Sequence, residues 1–180
     1  MPYLRPRPQG APDAWSAETA AQGRRARQKI VHAGETPAPE TVAELLRIPV
    51  GETVIVRRRM MLLDDHPHEL TDTYYPAHIA RGTRLAGTAK IPGGAVTLLA
   101  ELGHVGATVH EDVIARMPGR EEREALQTAP DEPVLQLTRL TLQSDGQAIQ
   151  VDLMVMPGHR QRLHYEMALP KEPQTAGSSG

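Results

Sequence analysis

The sequence predicts an α+β domain with a central, mostly antiparallel sheet and short helices, assembled from two helix-plus-hairpin half-repeats. Two observations carry this. Residues 52–76, ETVIVRRRMMLLDDHPHELTDTYYP, read as two adjacent strands joined at Asp64-Asp65-His66, where Asp tolerates the positive φ of a tight hairpin. The plan then returns 80 residues later: 132–145, EPVLQLTRLTLQSD, keeps Glu52/Glu132, Val54/Val134, Arg59/Arg139, Leu62/Leu142 and Asp65/Asp145 in step. The preceding segments follow, 39–46 (PETVAELL) answering 119–126 (GREEREAL) without an insertion. A functional site is expected where the halves meet.

Residues 1–25 read as a linker or arm, broken by Pro2, Pro6, Pro8, Gly10 and Pro12, with a short helix at 14–22 around Trp15. This single Trp is expected to pack on a surface groove or a neighbouring subunit rather than on a ligand. The basic run from Arg24 to Lys29 leads, as a solvated edge, into a short strand at 29–33. Pro39 opens a short helix with Val42, Leu45 and Leu46 on one face, ended by Pro49-Val50-Gly51. The first hairpin pairs 53–63 with 67–75, and 76–85 form a turn or short helix. Ile91-Pro92-Gly93-Gly94 then opens a helix at 95–102, with Ala95, Leu98, Leu99 and Leu102 as one stripe and Gly103 as its stop. A strand at 108–117, a charged helix at 120–127 and a second hairpin, 133–144 with 147–156, follow; the second hairpin turns at Asp145-Gly146. A last strand is expected at 162–169. The folded domain is thus read as 26–170, with 171–180, rich in Pro, Gly and Ser, as a disordered tail.

Composition excludes several classes of function. A net charge of −2 and a pI near 6.4 give no basic face overall, so nucleic-acid binding by this chain alone is not expected. The absence of Cys excludes disulfides, thiolate catalysis and Cys-ligated metal. No apolar run approaches the roughly 18–20 residues of a membrane span and the opening residues lack a signal-peptide core, which makes the cytoplasm the expected location. There is no GxSxG, P-loop, HExxH or post-strand GxGxxG, so no catalytic residue, metal or cofactor is expected. His66 and His68 read as solvated residues of a hairpin tip. The sheet edges, and the arm with Trp15, point to a homodimer.

The residues with chemical potential gather on the hairpins. With two-residue turns, Arg59 faces Asp72 and Arg139 faces Asp152. One reading is a cross-strand ion pair worth a few tenths to about 1 kcal/mol. The other is an arginine fork waiting for a carboxylate or phosphate. Alternation puts Arg57 and Arg59 on one face and Arg58 on the other. Gly93-Gly94 ahead of a helix is either an anion site or a simple loop-to-helix turn. Tyr74, Tyr75 and Tyr165 either stack on a ligand or pack at the sheet edge.

In order and spacing these segments resemble the UTRA domain, the ligand-sensing half of GntR-superfamily transcription regulators of the HutC type. The resemblance runs from Arg27 to about Leu169 through residues 43–46, Arg59 with Asp65 and Pro67, Tyr74-Tyr75-Pro76, 91–99, 111–115 and 158–162; IPGG and ELTDTYYP look like its actinobacterial branch. It implies a chorismate-lyase-like fold with a small-molecule pocket, a homodimer, and effector binding that alters the operator affinity of a repressor. DNA would be reached only through an N-terminal winged-helix domain with no counterpart in this sequence, whose first residues match the interdomain linker. The chain is then either part of a longer regulator or a free-standing sensor. Residue by residue, Arg59 matches the family's effector-gripping Arg, and Thr71 falls where many members have a ligand-contacting Glu. Met61 lies where sugar-phosphate-sensing members resemble one another in a second Arg, and Gly93-Gly94 lacks their hydroxyl residues. A less charged or more apolar effector with one carboxylate is therefore expected, in one elongated pocket lined by Arg57, Arg59, Met61, Thr71, Gly93, Gly94, Gln150, Asp152 and Tyr165. The competing expectation is a free-standing chorismate-lyase-like lyase or cyclase, with Arg59 on a substrate carboxylate and Asp152 as acid or base; fold analogy is its only warrant.

Overall fold

The computed structural model describes Pro6, Pro8 and residues 14–21 and 23–165. The elements are α1 (Ala14–Ala21), β1 (Ala26–Pro37), α2 (Glu40–Leu46), β2 (Thr53–Leu63), β3 (His66–Pro76), α3 (Ala77–Ala80), a 3-10 turn (Arg84–Ala86), α4 (Ala95–Glu101), β4 (Thr108–Arg116), α5 (Arg120–Leu126), β5 (Val134–Leu142), β6 (Ala148–Pro157) and a second 3-10 turn (Gly158–Arg160). The strands form one antiparallel sheet in the order β1-β2-β3-β6-β5-β4. Each half-repeat is a strand, a helix and a hairpin, and the halves join at the sheet centre through β3 and β6. The repeat extends to the helix ends: α2 and α5 both stop at a non-glycine residue in the left-handed region, Arg47 (φ 56°) and Gln127 (φ 54°).

Three of the expected elements need correction. The strand at 29–33 is the middle of a 12-residue strand, because β1 pairs with β2 along its whole length. The helix starting at 95 closes at Glu101. The strand at 162–169 is not formed at 161–165, which run without regular structure, and its remainder, like the tail at 171–180, lies outside the described residues.

The first hairpin turns at Asp64 and Asp65 (φ 52° and 66°), one residue earlier than the pairing of Arg59 with Asp72 requires. That earlier turn shifts the register by two positions, and a bulge between Met61 and Leu62 takes one of them back. Arg59 therefore faces Thr71, and it is Arg58 that faces Asp72, pairing with it at 3.0 Å on the opposite face. The second hairpin turns through Ser144, Asp145 and Gly146 (φ 82°), closed by the Gly146 N–H on the Gln143 carbonyl at 3.0 Å. There Arg139 does face Asp152.

Strand alternation divides the sheet into two faces. Helices α2 and α5 cover one, each crossing onto the other half: Val42, Ala43 and Leu46 pack with Val54, Val56, Tyr74 and Val151, while Leu126 packs with Val134, Val155 and Leu70 of β3. Leu126 is fully buried, so its truncation to Ala would cost about 2–5 kcal/mol. On the other face Ile55, Tyr75 and Ile149 meet Ile79, Leu85, Ile91, Leu98 and Leu99. That cluster closes only one end of the face. The other end is a cavity. Among the described residues no helix is long and apolar enough to cross a membrane.

Candidate functional site

The cavity measures about 440 Å3 and its floor is two cross-strand rows of the sheet. One row runs Arg57, Thr73, Asp152, Arg139, Glu111; the next runs Arg59, Thr71, Met154, Leu137. Lys90 to Val96, Trp15 and the segment 161–165 close it from above. All nine residues singled out in the sequence line it. It is not the single elongated pocket expected: a second cavity of about 320 Å3 lies behind α4, and Val96 and Gln150 form the shared wall.

The positions differ in what they can do. Arg59 is half-buried; its terminal nitrogen donates to Thr73 Oγ1 at 2.6 Å, and its buried Nε–H has no acceptor. A buried donor left in that state costs about 1–3 kcal/mol, a cost that a ligand acceptor would remove. Thr73 passes the contact on, donating to Asp152 Oδ1 at 2.6 Å, and Gln150 Nε2 donates to Asp152 Oδ2 at 2.7 Å. Both oxygens of buried Asp152 are thereby engaged. Arg57 lines the cavity but its guanidinium is committed elsewhere. It donates to the backbone carbonyls of Arg84 (3.1 Å), Gly87 and Ala89 (3.3 Å), pinning the loop that leads to the cavity roof. Burial lowers its pKa, although an arginine remains charged there.

Thr71 donates to the Glu69 carboxylate, so an acid does stand at this point of the floor, two residues from the position the family resemblance suggested. Burial raises the Glu69 pKa, opposed by the Thr71 hydrogen bond and by the charges of Arg59 and Arg139. Met61 is buried beside these groups. Gly93 and Gly94, at φ 75° and 85°, form the turn into α4, with the Gly94 N–H closing on the Ile91 carbonyl at 3.0 Å. That occupies a donor which an anion site would need. At the mouth, the exposed Tyr165 donates to Glu111 Oε2 at 3.1 Å, and Arg139 Nε donates to Glu111 Oε1 at 2.6 Å. The floor therefore holds one arginine ion-paired to a carboxylate, one reaching a carboxylate through a hydroxyl, and one met by carbonyls.

Sequence reasoning missed Trp15, Glu69, Thr73 and Glu111. Glu69 and Thr73 are the alternation partners of Thr71, a signal that the one-residue register error concealed. Trp15 does occupy a groove, but that groove is the cavity; its ring lies 5.3 Å from His68, and its buried indole N–H also lacks an acceptor. His68 is correspondingly half-buried rather than solvated, and burial, followed by the charges of Arg24 and Arg160, lowers its pKa.

Comparison with known proteins fits this architecture. Residues 21–162 match the UTRA domain family. An uncharacterized HTH-type transcriptional regulator of Streptomyces coelicolor is 32% identical over 168 residues, covering 90% of this chain. This chain spans 62% of that relative's length. The effector domain of PhnF from Mycobacterium smegmatis has the same fold, with a TM-score of 0.73 at 22% identity over 92% of this chain and 99% of that one. The C-terminal domain of the histidine utilization repressor from Pseudomonas syringae does too, at TM-score 0.66 and 21% identity over 81% and 100% of the two chains. The chain belongs to the UTRA family, a ligand-binding regulatory domain of the kind carried by GntR-family transcription regulators.

Proposed function

We propose that the cavity binds a small effector bearing one carboxylate or comparable anionic group, held against Arg59, with an apolar body over Met61, Met154 and Leu137. The observation that carries this is the Arg59 guanidinium, half-buried at the cavity floor with an Nε–H that has no acceptor. Arg57, which is met by carbonyls, adds positive charge without adding a free donor set. In a regulator of the HutC type, effector occupancy would modulate the DNA affinity of a winged-helix domain N-terminal to residues 26–170, in a cytoplasmic homodimer. Strand β4 supports the dimer, since it is a sheet edge that leaves Val113 and Ile114 exposed, with Met117 just beyond it. Light scattering across micromolar concentrations should find two copies, and monomer alone would count against this. The domain is non-catalytic in this reading. Its relatives are regulators, and Asp152, the candidate acid or base of the enzyme alternative, has both oxygens engaged.

The test is a thermal-shift screen of monocarboxylates, followed by calorimetry on the best binder. Arg59→Ala removes a charge-assisted hydrogen bond of about 1.5–3 kcal/mol, a loss of roughly ten- to a hundredfold in affinity. Equal affinity in parent and variant would remove Arg59 from the site.

A further inference from the structure

Trp15 lies on α1, ahead of the sheet in sequence, yet its ring forms part of the cavity wall and packs against His68 of β3 at 5.3 Å. The neck between α1 and β1 is held by the tip of the hairpin that carries His68. Arg24 Nε donates to Asp64 Oδ2 at 2.9 Å, the Arg25 N–H donates to Asp64 Oδ1 at 2.9 Å, and Arg27 donates to Asp65 Oδ1 at 2.9 Å. These contacts are exposed and individually weak. The β2–β3 hairpin thus does three things at once: Arg59 and Thr71 face the cavity, His68 seats Trp15, and the tip clasps the neck.

Met61, Met154 and Met156 line the same cavity, deformable thioethers suited to an apolar body of variable shape. An apolar group that touches both them and the indole buries surface on each, including the surface contributed by α1. The indole N–H, buried without an acceptor, shows that the seat of Trp15 is incompletely satisfied by the protein alone.

We propose that Trp15 is the contact through which the N-terminal segment reads the cavity: the apolar body of a bound anion packs against the indole and holds α1 and the neck on the β2–β3 hairpin. The inference rests on the cavity being the effector site. A ligand that binds only the closed arrangement lowers the open population by the factor 1 + [L]/Kd. The neck is where that should be read, because Arg25 and Arg27 are highly exposed trypsin sites.

The probe is anilinonaphthalene sulfonate, one anionic group on an apolar body, and its own emission gives its Kd on the full chain. Trp15 is the only tryptophan, so energy transfer to the probe reports that side chain alone. Trypsin cleavage at Arg24, Arg25 and Arg27 is then followed by mass spectrometry with the probe at ten times Kd. The parent should be cut about tenfold more slowly at the neck. Trp15→Ala, saturated with probe by emission, should gain no protection, and Trp15→Phe should retain it. Neck cleavage unaffected by bound probe in the parent, or slowed equally in Trp15→Ala, overturns the proposal while leaving the cavity reading intact. Probe binding that is absent in the parent, or equal in Arg59→Ala, is seen before protease is added; it removes the cavity reading, and the proposal with it.

Discussion

The two half-repeats place an arginine at the same position and surround it differently. Arg139 in β5 has Glu111 beside it on edge strand β4 and Asp152 on β6. Arg59 in β2 has Ile30 beside it on edge strand β1 and Thr71 on β3. Arg139 is consequently locked, its guanidinium 2.6 Å from Glu111 in a pair that is almost buried on both sides. Arg59 contacts a hydroxyl and keeps a donor unmet. The next residues on the same face continue the contrast. Thr71 donates to Glu69 in the first half, while Gln150 donates to Asp152 in the second. Duplication supplies the scaffold, and the two copies diverge at positions that line the cavity.

Breaking the locked half should have the largest effect. Glu111→Ala removes the carboxylate from a nearly buried pair, and denaturation should show a loss of about 3 kcal/mol. If that variant unfolds at the parent's denaturant midpoint, Arg139 does not depend on Glu111 and the contrast collapses. Removing the titrating acid of the first half should have a smaller effect with a distinct pH signature. The Glu69 pKa is raised in the fold, so in the range above the ordinary carboxylate value the folded state holds more proton than the unfolded state. Its contribution is complete below the unfolded pKa and is lost as pH rises through the folded one. Glu69→Gln should therefore gain in melting temperature relative to the parent as pH rises from about 4.5 to neutrality. A difference independent of pH would show that Glu69 does not titrate as described. The smallest effect belongs to Arg58→Ala. Its partner Asp72 lies on the helix-covered face and the pair is half exposed, so the cost should be within about 1 kcal/mol, with effector binding unchanged.

The frame of this contrast was legible in the sequence, though the partners were not. The duplication at 80 residues, the turn at Asp64-Asp65 and the alternation of Arg57, Arg58 and Arg59 are local patterns, and they give the sheet, its halves and the face that carries the cavity. The pairing partner of Arg59 was not legible, because it depends on which two of Asp64, Asp65 and His66 make the turn and on a bulge between Met61 and Leu62 that leaves no residue signature. Nor was the role of Arg57. Whether a buried guanidinium meets a ligand or the carbonyls of residues 84–89 depends on where a loop some thirty residues away returns to the sheet. The partnership of Arg139 with Glu111 has the same origin, since it needs the register of an edge strand. The seat of Trp15 depends on α1 folding back to β3, across a neck with no periodic pattern.

Arg59 is proposed as an anion receptor because its edge-strand neighbour is Ile30, where its counterpart Arg139 has Glu111. Ile30→Glu tests this directly by giving the first half the carboxylate that locks the second. Titration with anilinonaphthalene sulfonate, followed by the probe's emission, should show affinity falling at least about tenfold. The melting temperature should hold or rise, since the new carboxylate meets an arginine with an unmet donor. Probe binding as tight as in the parent, with the variant folded, would contradict the claim.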